Sequence, residues 1–289
     1  MKKSSTLQKL ICEELNISQN VISVAQKLLP KILADANLKV KIPKDNLFEV
    51  TYSEYPVQLL GNDYMMYCRF FHFRNMKERQ EYRKVNKKQN SSYNSKHLYG
   101  RMTIDIINGW YDENSIFRDL YHELSHLHFH NMKGDEGDNT KPLNSIYKTA
   151  RRNFTYNSDN FSKAAQAVYI RGTNEMSAFT HGLYGELISN DEWKTHKSPD
   201  NILKKSPVYL VYKNLEEFEN DILNDRVDDL EELANEYNIS TRQLFAIVKH
   251  AKQRLGAAIA RVMALVYSEK EINEITNPYS SYVRATFED

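Results

Sequence analysis

The chain has little cysteine: two in 289 residues, Cys12 and Cys68. They form no CxxC pair, which excludes a zinc ribbon and a disulfide framework. They read as two unremarkable thiols of a reducing compartment. A dominant charge is also missing. At a net charge of +1 the protein is no polyelectrolyte, so any pull on nucleic acid or membrane must come from a local patch. Long apolar runs are absent. The N-terminus starts basic, but Glu13 and Glu14 break its apolar residues, so it makes no signal-peptide core. The most apolar window, "LGAAIARVMALVY", carries Arg261 and is too short to span a bilayer. No internal repeat is visible. The expectation is a soluble, cytoplasmic protein with no membrane partner.

What is present supports a packed core. Hydrophobic residues make up 41% and charged residues 27%. Residues 5–37 have helical spacing, with Pro30 as a break or kink. From Leu47 the pattern turns β-like: "LFEVTY", "PVQLL" and "YMMYCRFFHF", the last two separated by a hairpin turn at Gly61, Asn62 and Asp63. Arg74 to Lys96 holds eight Lys or Arg against two Glu. It reads as a polar surface insertion in preference to a nucleic-acid-binding arm, because little aromatic residue is interleaved. Residues 99–109 alternate as a strand, and 110–113 turn. A helix capped by Asn114 or Ser115 follows and ends near Gly134, Gly137 and Pro142. Further helices are expected at 143–152, 159–170, 173–189, 214–236 and 241–268. The order is helix, small sheet, helix, then a helical lobe, which makes the fold class α+β.

Four of the nine histidines fall within "YHELSHLHFH", Tyr121 to His130. His122, Glu123 and His126 spell HExxH. On a helix His126 lies about 40° round from His122, Asp119 about 60° and Glu123 about 100°. Leu120, Leu124 and Leu127 gather on the opposite side, with Ile116 and Phe117 beside them. An apolar back and a front of histidines and carboxylates is what a buried site needs. Two His at i and i+4 reach one tetrahedral ion, and Glu123 beside them can take a proton from water.

A third ligand must come from elsewhere. His130 lies roughly 12 Å along the axis from His122, too far for the same ion, and His128 points to the wrong side. The position six residues after His126 is Met132, which excludes the pattern with a third histidine there. The best candidate is Glu175 in "RGTNEMSAFTHGLYGEL", in the first turn of a helix capped by Thr173 or Asn174. Such a glutamate also complements a helix dipole. Glu186 and Glu192 lack this setting. Tyr169, His181 and Tyr184 lie close to Glu175 in sequence and can donate to an oxyanion; the sequence does not choose among them. Asp119 can hold a ligand imidazole through its other nitrogen.

HELSH followed downstream by NExxA resembles the zincin metallopeptidases of the gluzincin branch. "FRDLYHELSHLHFH", Phe117 to His130, is similar to the active-site helix of the ImmA/IrrE-type peptidases. These carry an Arg before HExxH, a Leu just after it and a further His. "EMSAFT" is similar to their third-ligand run. Ser125 stands where Gly is common there, and the gap from His126 to Glu175 is longer than usual. The resemblance implies a zincin-like fold, a small mixed sheet on the HExxH helix before a helical lobe. It further implies one zinc ion on His122, His126 and Glu175, and Glu123 as general base in peptide-bond hydrolysis. The divisions expected are 1–45 helical, 46–190 as the peptidase core and 191–289 as C-terminal helices. Residues 101–107 would be the sheet edge that an extended peptide pairs with. A protein partner on the helices of 214–268 is the competing reading, an interaction protein on a zincin scaffold.

Overall fold

The computed structural model describes residues 18–85, 92–94, 99–133, 141–171, 173–189 and 203–276. The protein is α+β with a small mixed sheet. Contacts gather it into two compact units. One is Ser18–Gly134, and the other holds the described residues after it.

The first unit opens with α1, Gln19–Ala36. Residues 5–17 of the expected helix lie outside the described residues. The helix runs through Pro30 instead of stopping there. Pro30 and Gln26 are both exposed, so the carbonyl that loses its donor is open to water. The two runs "LFEVTY" and "PVQLL" belong to one strand, β1, Phe48–Leu59. It pairs antiparallel with β2, Asn62–Phe73, in a register from Phe48↔Phe73 to Leu59↔Asn62. The turn is tighter than the sequence suggests. Leu60 and Gly61 form it, with φ of 51° and 80°, while Asn62 and Asp63 already belong to β2. Two positive φ values in a two-residue loop match the right-handed twist of the flanking strands. β1 is an edge strand, so Pro56 is tolerated inside it.

After α2, Met76–Val85, the sheet is completed by β3, Ser92–Asn94, and β4, Tyr99–Ile107. The strand order is β1-β2-β4-β3, with β4 parallel to β2 and antiparallel to β3. Alternation divides the faces. Gly100, Met102, Ile104 and Ile106 are buried beside Met66, Cys68 and Phe70 on one side. On the other, Tyr82 of α2 packs on Phe48, Phe71 and Phe73. Here Asp105 of β4 accepts from Arg79 Nε at 2.6 Å and from Arg83 at 2.7 Å, and Arg74 pairs with Glu78 at 2.8 Å. Three arginines of the basic segment therefore have acidic partners. Its Lys87, Lys88 and Lys96 lie outside the described residues. Cys68 is buried, which pushes its thiol up to about 12; Cys12 lies outside the described residues.

The second unit is helical: α4 Lys141–Asn153, α5 Asn160–Ile170, α6 Thr173–Ser189, α7 Pro207–Leu223, α8 Leu230–Glu236 and α9 Thr241–Thr276. α9 is its spine, with α5, α6, α7 and α8 packed against it. Leu244, Val248, Ala251, Leu255, Ile259, Val262 and Leu265 recur at three- and four-residue steps and are buried. The expected single helix at 214–236 is two. α7 starts earlier, because Pro207 takes its first position and Ser206 accepts from the Val208 N–H at 3.2 Å. It stops at Asn224, where Asp225 turns left-handed at φ 52°. Of the expected apolar stripe, Leu215, Phe218, Val227 and Leu233 are buried. Among the described residues no helix is long and apolar enough to cross a membrane.

Candidate metal centre

The helix that carries HExxH, α3, spans Glu113–Lys133. It follows a tight turn at Asn108 and Gly109, both at positive φ, where Ile107 and Trp110 bond each other's backbone. Neither Asn114 nor Ser115 starts the helix. Asp112 does, accepting from the Asn114 N–H at 3.1 Å. Ser115 instead accepts from the Arg118 guanidinium at 2.7 Å.

Ile116, Leu120, Leu124 and Leu127 are buried, as the sequence expects of the back face. Each contributes about 1.5–3 kcal/mol to holding the helix in place. α1 and β4 are neighbours of α3. Gly100 of β4 makes room for the Met66 side chain, with the HExxH turn at ordinary contact distance. A Cβ built there would stand 3.7 Å from Glu123 Cβ and 2.8 Å from Met66 Cε. Glycine within a strand pattern marks such close approaches, and the sequence carried that sign.

The two histidines of the motif lie one turn apart, with Nε2 atoms 3.2 Å from each other and rings inclined at 77°. His126 and Glu123 are buried, and His122 is half-buried. His128 faces α1, with Nδ1 3.4 Å from Ser18 Oγ, and burial pushes its imidazole below the ordinary value. This agrees with its expected place on the other side of the helix. The side chain of His130 lies outside the described residues. Asp119 accepts from Arg118 Nε at 3.0 Å, a contact with its own helical neighbour.

Glu175 occupies the first turn of α6 and is buried. Its Oε1 accepts a hydrogen bond from Tyr147 of α4, and Tyr169 of α5 lies within reach of its charge. Burial pushes both phenols up, and the Glu175 charge adds to this. The two rings stack with centroids 5.3 Å apart. Phe154 and Phe179 close on Tyr169 at 4.8 Å and 6.4 Å. Of the three residues named as candidate oxyanion donors, Tyr169 is thus the one whose phenol feels the Glu175 charge. His181 is fully buried with Nδ1 2.9 Å from the Ser177 carbonyl, and Tyr184 is buried. Glu186 accepts from Ser206 at 2.7 Å. Sequence reasoning missed Tyr147, which has no fixed spacing from Glu175 and no motif of its own.

One ligand atom from each of His122, His126 and Glu175 lies within 4.8 Å of the other two. Two imidazole nitrogens and a carboxylate oxygen form a donor set that suits zinc. The strand beside Glu123 is less open than expected. β2 runs along β4 on one side, and β3 covers Tyr99, Gly100 and Arg101 on the other. Among the described residues only Met102 to Ile107 of β4 lack a strand on that side, so the expected edge survives in that stretch alone.

No family model matches the chain, and no curated protein or solved structure matches it either.

Proposed function

We propose that the chain is a zinc-dependent metallopeptidase of zincin-like fold, working in the cytoplasm on a protein or peptide substrate. The observation that carries this reading is the convergence of His122, His126 and Glu175 donor atoms within 4.8 Å, with Glu123 buried beside the two histidines on the same helix. A zinc ion held by these three residues would supply a Lewis acid that polarises the scissile carbonyl and makes water acidic enough to attack near neutral pH.

The chain's own groups do the rest. Glu123, next in sequence to His122, takes the proton of the attacking water on a carboxylate oxygen and returns it to the leaving amine. Its burial beside Gly100 keeps bulk water from competing for that oxygen. Met102 to Ile107 of β4 offer backbone groups to an extended peptide, which binds main chain without requiring a particular sequence.

The test is bound metal in untagged protein, by elemental mass spectrometry, beside a Glu175→Ala variant. About one zinc per chain in the wild type, lost in the variant, is the expected result. Zinc retained in the variant would move the third ligand elsewhere. No metal in either protein, even with zinc supplied, would overturn the reading and favour an interaction protein.

A further inference from the structure

The metal reading uses one oxygen of Glu175. One of the two, Oε1, already has a tyrosine donor. Tyr147 donates to Oε1, and its ring lies flat on that of Tyr169, whose phenol feels the charge of the same carboxylate. The pair is wedged in place. Tyr169 packs on Phe154 and on Phe179, and Phe179 is one turn along the same helix as Glu175. The rings that fix the phenols thus belong in part to the helix that presents the carboxylate.

We infer that Tyr147, braced by the ring of Tyr169, is a positioning residue for Glu175, holding Oε1 in a hydrogen bond so that Glu175 meets the metal through Oε2 alone. The inference rests on the metal site proposed above. A carboxylate with both oxygens available can swing between one- and two-oxygen ligation or turn away, and each choice changes the coordination number. A phenol is a hydrogen-bond donor of fixed reach on a stiff ring, and a ring stacked on Tyr169, itself packed on Phe154 and Phe179, loses little entropy in holding it. Neither tyrosine needs to touch substrate for this.

The test uses the full chain, with zinc affinity read by competition against a chromophoric chelator. Visible spectra of the cobalt(II)-loaded protein report coordination number. In Tyr147→Phe the zinc affinity is expected to fall about 10–100-fold, and the cobalt bands to change intensity. A merely structural Tyr147 would lower the melting temperature of the metal-free chain and leave the cobalt bands of the loaded chain as they are. Equal affinity and identical bands in wild type and variant overturn the inference and leave the metal site standing. A wild type that binds neither metal overturns the site itself. If Tyr147→Phe does not fold, Tyr169→Leu replaces it, since it removes the bracing ring and keeps the Tyr147 phenol; reduced affinity is expected, and unchanged affinity and bands overturn the inference.

Discussion

The Nε2 atoms of His122 and His126 stand 3.2 Å apart across one turn of α3. Two ring nitrogens this close can aim lone pairs at a common point only if each imidazole carries its proton on Nδ1. The backbone turn sets the spacing, and the buried leucines behind it set the orientation of the helix.

On the proposed mechanism, a change at Glu123 separates metal binding from chemistry. Glu123→Gln keeps the size of the side chain and removes the proton acceptor. Zinc content should stay at the wild-type level while peptide hydrolysis falls by about 100-fold or more, the usual worth of a general base. Elemental analysis and a quenched-fluorescence peptide assay on the same preparation check this. Undiminished hydrolysis would remove Glu123 from the mechanism.

Leu60 is the strained member of the β1–β2 turn, a large exposed apolar residue at φ 51°. Asparagine enters this region of backbone space more readily. Leu60→Asn should stabilise the chain by about 0.5–1 kcal/mol. Urea denaturation measures it, and a lowered midpoint would contradict the turn assignment.

Asp105 is the single carboxylate shared by Arg79 and Arg83. Its side chain is 11% exposed and theirs are 37% and 25%. Solvent therefore screens part of the attraction, and the cost of losing it is below that of a fully buried pair. Asp105→Asn should destabilise by about 1–2 kcal/mol, with α2 loosening from the sheet. Hydrogen exchange at residues 76–85 would show the loosening directly.

His72 ties stability to acidity. Burial pushes its imidazole below the ordinary 6.5, with the Glu49 charge opposing, while Thr51 Oγ1 lies 3.0 Å from Nε2. An unfolded chain takes up this proton near pH 6.5, and the folded chain resists it. Its contribution is therefore complete above that pH and is lost as pH falls towards the lower folded value. His72→Gln should flatten the melting-temperature profile between roughly pH 7 and 5. An unchanged slope there would assign the acid sensitivity to other groups.

The parts of the fold legible in the sequence were those set by local pattern. The helix at 173–189 has the limits expected, and α3 has the apolar back that the leucine spacing requires. Errors came where one residue changes sense with its surroundings. Pro56 seems to divide two strands, yet sits inside one because β1 lies at an edge. Pro30 seems to end a helix, yet is exposed where its missing bond costs least. The break after Asn224 depends on one left-handed residue, Asp225, inside a continuous apolar rhythm. At the site, HExxH could be read because both histidines and Glu123 share one turn. Tyr147 could not, since its partner is 28 residues away and only tertiary packing joins them.

The register of the sheet also carries a kinetic order. β1 and β2 close over two residues, while β4 pairs with β2 only after the chain has returned from Phe73 to Tyr99. Closing the longer loop costs more entropy and is repaid only by contacts distant in sequence. The hairpin should therefore zip first and β4 dock on it later. The strand surface at Gly100 that Glu123 rests against is then among the last parts of this unit to be laid down. A slow folding phase would delay the proposed metal centre while leaving the hairpin already protected from exchange.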